Sequence, residues 1–270
     1  MTLFGSYAFL LSLLALPPSA GGDRDGGATP DAAATPDASP FESEIRAFEA
    51  DDHQRPPPRH GIVFIGSSSI RLWRTLTQDF PLRRVLNRGF GGSHIADSVG
   101  FVERIVVPYA PALVVMYAGG NDIDAGKSPA RVLADFQAFT ARVWSRLPRT
   151  EIAFISIAPN PARWAQVDRV REANRLVAAS CRADPRLHYI DVFPEMLGAD
   201  GRPRGELFVE DGLHMNRQGY EVWIPRVRAT IDLVLGAAGP TKPGKRSARL
   251  PGPGAREVGQ DPAAADAARR

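Results

Sequence analysis

The chain has 270 residues, 44% of them hydrophobic and 23% charged, a balance that suits one substantial globular domain and excludes a fibrous, collagen-like or wholly disordered protein. Its net charge of +3 is unevenly spread, with residues 21–59 net acidic and the Pro/Gly-rich residues 237–270 net basic. The middle holds no basic helix and no basic strand interleaved with aromatics, so no nucleic-acid partner is expected.

Residues 1–22 carry no charged side chain and are strongly apolar from Tyr7 to Leu16, where Pro17 and Pro18 halt the run before small residues. That pattern predicts a secretory signal, although no Lys or Arg precedes it, and hence export to the periplasm or medium. Without a signal the protein is cytoplasmic. The run is too short for a stable membrane span. Residues 23–59 read as a low-complexity linker of Ala, Asp, Pro and Gly. Within it, 41–52 has the pattern of a short helix, ahead of Pro56, Pro57 and Pro58. Residues 60–236 are expected to hold the fold and the activity, and 237–270 to be a disordered basic tail.

Between these flanks, strands and helices alternate. Apolar runs at 62–65, 85–86, 113–117, 152–157 and 187–192 predict strands. Ile95, Val99, Val102 and Val106 recur at helical spacing. Ser128 followed by Pro129 opens another helix, with Val132, Phe136, Phe139, Val143 and Leu147 as its buried stripe. Further helices are expected at 164–183 and 216–236. The single cysteine, Cys181, excludes an intramolecular disulfide; its helical setting predicts a buried small hydrophobe rather than a reactive thiol. The alternation predicts a three-layer α/β/α sandwich around a parallel sheet.

In such sheets ligands bind at the carboxyl ends of the strands. Gly66-Ser67-Ser68-Ser69 follows the first predicted strand, Gly89-Phe90-Gly91-Gly92-Ser93 the second and Gly119-Gly120-Asn121-Asp122 the third. Asp211-Gly212-Leu213-His214 precedes the last helix. Each piece alone is weak, since a serine after glycine is usually a turn or cap and a lone Asp-x-x-His is usually a solvated loop. Together, in this order, they resemble the four signature blocks of the SGNH/GDSL hydrolase superfamily over 61–236.

The resemblance implies a flavodoxin-like SGNH fold. It places the nucleophile on Ser68, the base on His214, the orienting carboxylate on Asp211, and the oxyanion donors on Ser68, Gly92 and Asn121. One departure is visible: the superfamily's Gly-Asp-Ser is Gly66-Ser67-Ser68 here, so Ser67 and Ser69 flank the candidate and alignment on Gly66 selects Ser68. The chemistry suits these residues. A serine hydroxyl needs a base to take its proton, an imidazole does this near neutral pH, and a tetrahedral oxyanion needs donors fixed in advance. His94, Arg163 and Trp164 are candidates for a substrate wall, Trp164 being equally placed for core packing.

No metal and no cofactor are expected. The predicted substrate is a small-molecule or carbohydrate ester with a short acyl group, no helical lid being apparent. A lysophospholipase or thioesterase of the same superfamily, a binder using 89–93 as an anion nest, and a non-catalytic binding protein are the alternatives.

Overall fold

Five short, largely apolar segments form β1 (Ile62–Gly66), β2 (Val85–Gly89), β3 (Leu113–Tyr117), β4 (Glu151–Ile155) and β5 (Leu187–Ile190). A computed structural model describes residues 39–237, and in it these strands run parallel in the order β2-β1-β3-β4-β5. The predicted signal, the linker up to residue 38 and the tail from residue 238 lie outside the described residues.

Side chains alternate across a strand, so each strand feeds both layers. Val63, Ile65, Val114, Met116, Ile152 and Phe154 face one side. They pack there with α1 (Glu42–Gln54), α4 (Ile95–Ile105), α6 (Pro129–Arg146) and α7 (Val167–Ala183). Ile62, Phe64, Leu113, Val115, Ala153 and Ile155 face the other, against α2 (Ser68–Arg71), α3 (Leu76–Asp79) and α8 (Arg217–Leu235). The result is the expected three-layer sandwich with a parallel central sheet. Strand order reverses between β1 and β3, and in doubly wound sheets the crevice at that switch is where ligands sit. One more short helix, α5 (Gly120–Asp124), begins there, immediately beyond β3.

The α6 helix shows how local sequence sets the layer. Ser128 Oγ accepts the Arg131 N–H at 3.2 Å and Pro129 occupies the first turn, which needs no N–H. Val132, Phe136, Phe139 and Val143 are then fully buried, each contributing about 1.5–3 kcal/mol. Cys181 is buried as expected, and burial pushes its thiol up to about 12.

Three expectations differ from the structure. The helix expected at 41–52 forms as α1 (Glu42–Gln54), but it is docked on the sandwich rather than being part of a linker over 23–59. Ile45 is fully buried and the Phe41 ring meets Phe90 edge-on at 5.2 Å. Arg104 of α4 grips Glu42 and Glu49 with four hydrogen bonds of 2.7–3.0 Å. The reason is that α1 is polar overall with a narrow apolar face, a pattern that composition averages away.

Second, the predicted strands 152–157 and 187–192 end at Ile155 and Ile190. Beyond them side chains take over the backbone partners: Asn174 binds both the Ile157 N–H (2.8 Å) and C=O (2.9 Å), and Ser156 Oγ accepts the Val192 N–H at 3.0 Å. Third, the predicted helix 164–183 divides into a 3-10 turn, Trp164–Gln166, and α7. No helix among the described residues is long and apolar enough to cross a membrane.

Candidate active site

The nucleophile candidate is placed by a sharp exit from β1. Gly66 has φ of +135°, and a Cβ there would lie 1.9 Å from the Tyr117 carbonyl oxygen, so only glycine fits. The Ser67 N–H donates to that same carbonyl at 3.0 Å, and the chain turns directly into α2. From behind, Asn87 Nδ2 donates to the Ile70 carbonyl at 2.6 Å, and the Tyr220 hydroxyl of α8 donates to the Ser69 carbonyl at 2.9 Å. Ser67 and Ser69 are thereby buried, whereas Ser68 is half-buried at the cleft.

The base arrives on the loop before α8. An isolated bridge between Phe208 and Met215 pinches that loop shut, and Asn216 Nδ2 bonds the Glu206 and Phe208 carbonyls at 2.8 and 3.1 Å. Inside the pinch, Asp211 Oδ1 accepts the Leu213 and His214 N–H groups, both at 2.8 Å. Its Oδ2 accepts the His214 Nδ1–H at 2.6 Å. The backbone N–H of His214, then its imidazole, then the Leu213 N–H hold the Asp211 carboxyl down at about 2, so it is an anion across the physiological range. With the proton fixed on Nδ1, Nε2 is the acceptor, and the Ser68 hydroxyl donates to it at 2.9 Å. Three residues from two distant segments, 66–69 and 211–214, thus form one continuous hydrogen-bonded chain across 146 positions.

The remaining predicted residues divide. Asn121 and Arg163 line the cleft, and Asn121 Nδ2 donates to the Ser93 carbonyl at 3.1 Å. Gly92 is exposed, one residue from that carbonyl, with φ of +78° and nothing within 4 Å of where a Cβ would stand. Its need for glycine is therefore conformational. The N–H groups of Ser68 and Gly92 have no hydrogen-bond acceptor among the described residues.

Gly92, His94 and Trp164 do not line the cleft. His94 is the residue before α4, its N–H given to Asp97 Oδ2 at 2.7 Å. Trp164 turns toward the Arg171 and Arg202 guanidiniums, 5.6 and 5.9 Å from its ring centre. Asn160, Tyr117, Leu213 and Met215 line the cleft without having been predicted as site residues; Leu213 and Met215 flank His214 in its loop, and the Asn-Pro pair at 160–161 carried a loop signal. Among the described residues no group of three or more His, Cys, Asp or Glu side chains is placed to hold a metal ion.

Known proteins are similar to this chain in sequence or in fold. The human platelet-activating factor acetylhydrolase IB subunit alpha1 is 29% identical over 201 residues, covering 70% of this chain and 80% of that protein. A GDSL-like lipase from Bacteroides thetaiotaomicron superposes with a TM-score of 0.60 at 16% identity, over 71% of this chain and 98% of its own. A Geobacillus acetyl-xylooligosaccharide esterase superposes with a TM-score of 0.53 at 12% identity, over 64% and 95%. The sequence model of the GDSL-like lipase/acylhydrolase family matches residues 66–222, which is more than half of the chain and spans every residue of the hydrogen-bonded chain just described. The protein belongs to that family and is an ester hydrolase of the SGNH/GDSL superfamily.

Proposed function

We propose that the protein is a serine esterase that removes a short acyl group, acetyl being the best fit, from a small-molecule or carbohydrate alcohol through an acyl-serine intermediate. The observation that carries this reading is the Asp211–His214–Ser68 chain, with contacts of 2.6 and 2.9 Å.

In the proposed reaction Ser68 Oγ bonds to the ester carbonyl carbon while its proton passes to His214 Nε2. The Asp211 carboxylate keeps Nδ1–H in place and stabilises the imidazolium. The carbonyl oxygen becomes an oxyanion held by the N–H groups of Ser68 and Gly92 and by Asn121 Nδ2, one such donor typically being worth roughly 2.7–4 kcal/mol. Collapse breaks the C–O bond, and the departing alkoxide takes the Nε2 proton. Water, deprotonated by His214, then attacks the acyl-serine; the acid leaves and Ser68 recovers its proton.

Two facts favour a short acyl group. The free volume in the cleft is about 30 Å³, room for one or two waters, and it is bounded by Tyr117, Ile157, Phe208 and Trp223. Two of the similar proteins are named for acetyl esters.

The test uses nitrophenyl esters of rising chain length, acetylated sugars, and an organophosphonate probe. Labelling at Ser68 and loss of turnover in Ser68→Ala, with acetate the preferred acyl group, are expected. Labelling at Ser67 or Ser69, or unchanged turnover in Ser68→Ala, would reject the assignment. Preference for long acyl chains would reject the substrate class.

A further inference from the structure

Arg163 stands in the loop after β4, and its guanidinium reaches the Asn121 amide rather than open solvent. Nη1 donates to Asn121 Oδ1 at 3.0 Å, and Nη2 pairs with Asp124 Oδ2 at 3.0 Å. Arg163 is itself held: its N–H donates to Asn160 Oδ1 at 2.9 Å, and the neighbouring Ala162 N–H donates to the Gly212 carbonyl at 3.1 Å. Its side chain is only 20% exposed.

An amide side chain can be turned end for end, and its two orientations present opposite chemistry to a substrate. Here both neighbours forbid the wrong one. A guanidinium only donates, so the atom beside Arg163 must be the amide oxygen; the Ser93 carbonyl only accepts, so the atom beside it must be the nitrogen. One N–H is taken by Ser93, and one remains. Donation into the amide oxygen also draws electron density from the nitrogen, which strengthens the remaining N–H as a donor.

We propose that Arg163 is a positioning residue for the oxyanion hole: anchored by Asp124, it locks the Asn121 amide with its free N–H toward the reacting carbonyl and polarises it for the developing charge. This rests on Asn121 being an oxyanion donor, as proposed above. Arg163 touches no reacting atom in this scheme. Its contribution is preorganisation, which acts on the chemical step and not on ground-state binding.

The experiment is a double-mutant cycle on the full chain with nitrophenyl acetate, using Arg163→Met, Asn121→Ala and the pair, with melting temperatures recorded for each. Arg163→Met should lower kcat about tenfold, less than loss of the donor itself, with KM changed less than about twofold. In the Asn121→Ala background, Arg163→Met should cost nothing more. Arg163→Lys, which keeps the charge but cannot hold both partners, should lie between and replaces Met in the cycle if Arg163→Met does not fold. A raised KM with unchanged kcat would make Arg163 a substrate contact and overturn the proposal. So would a full multiplicative loss in the Asn121→Ala background. Unchanged kcat in Asn121→Ala would overturn the oxyanion reading and this inference with it, whereas a slowed Asn121→Ala with additive Arg163→Met rejects this inference alone.

Discussion

Asp52→Asn tests whether α1 is an integral part of the fold. Arg88 on β2 is 3% exposed, a charge in the protein interior. Its Nε donates to the Tyr109 hydroxyl oxygen at 2.8 Å and its Nη1 to the Asn87 carbonyl at 3.0 Å. Its guanidinium lies 4.8 Å from the Phe48 ring centre and 4.9 Å from that of Tyr109. The anion it needs is Asp52 of α1, which pairs with Nη2 and also accepts the Tyr109 hydroxyl at 2.5 Å. Burial, then that bond to Asp52, pushes the phenol up, so Tyr109 stays a neutral donor. Removing one partner of a buried pair leaves an uncompensated charge, at a cost of roughly 3–5 kcal/mol. The Asp52 side chain is 20% exposed, so water reaches that end and the low end applies, about 3 kcal/mol. For a domain of about 200 residues this lowers Tm by roughly 6–12 °C. Thermal and urea melts at neutral pH read it directly. Adding Arg88→Met to Asp52→Asn should recover most of the loss, since an apolar replacement removes the stranded charge. If Asp52→Asn alone stays within about 1 kcal/mol of wild type, the pair behaves as a solvated surface bridge. A chain starting at Arg59 loses Ile45 and the partners of Arg104 as well, and should be markedly less stable than the full one.

Asp211→Asn should fold normally and turn over about a hundredfold more slowly or worse. The Asp211 carboxyl, held at about 2, is depressed, so it contributes stability above its unfolded range near 3.8 and loses it as pH falls toward 2. It therefore titrates below the acid limb of wild-type kcat/KM, which should show the slope of a single proton; a two-proton slope would refute this. Asn174→Ala strands the buried N–H and C=O of Ile157, at roughly 1–3 kcal/mol each before any water enters. A melting temperature equal to wild type would show that the β4 loop is held some other way. Gly92→Ala meets no neighbour but imposes a Cβ at φ of +78°, costing about 1–2 kcal/mol of backbone strain. Esterase activity should fall as the backbone relaxes and carries the Gly92 N–H away; equal activity would show that the loop keeps its strained backbone, since alanine retains that N–H.

The alternation of apolar runs and amphipathic stretches determined the layered sheet by itself, because a strand covered on both faces and a helix covered on one have different periods. The site was legible for a related reason. Gly66, Gly92 and Gly119 have positive φ, and turns of that kind at strand ends mark where a parallel sheet opens to ligands. Their order, with Asp211 and His214, resembles the signature blocks of the superfamily, and alignment on Gly66 put the candidate nucleophile on Ser68. Tertiary structure alone decided what depends on distant partners. It showed that α1 covers Arg88, since the Asp52–Arg88 pairing spans 36 positions. It turned Trp164 toward Arg171 and Arg202 and left His94 at the start of α4. It also joined Arg163 to Asn121 across 42 positions. A short period can be read along the chain, but a single contact between residues so far apart is fixed by packing, for which the local pattern carries no signal.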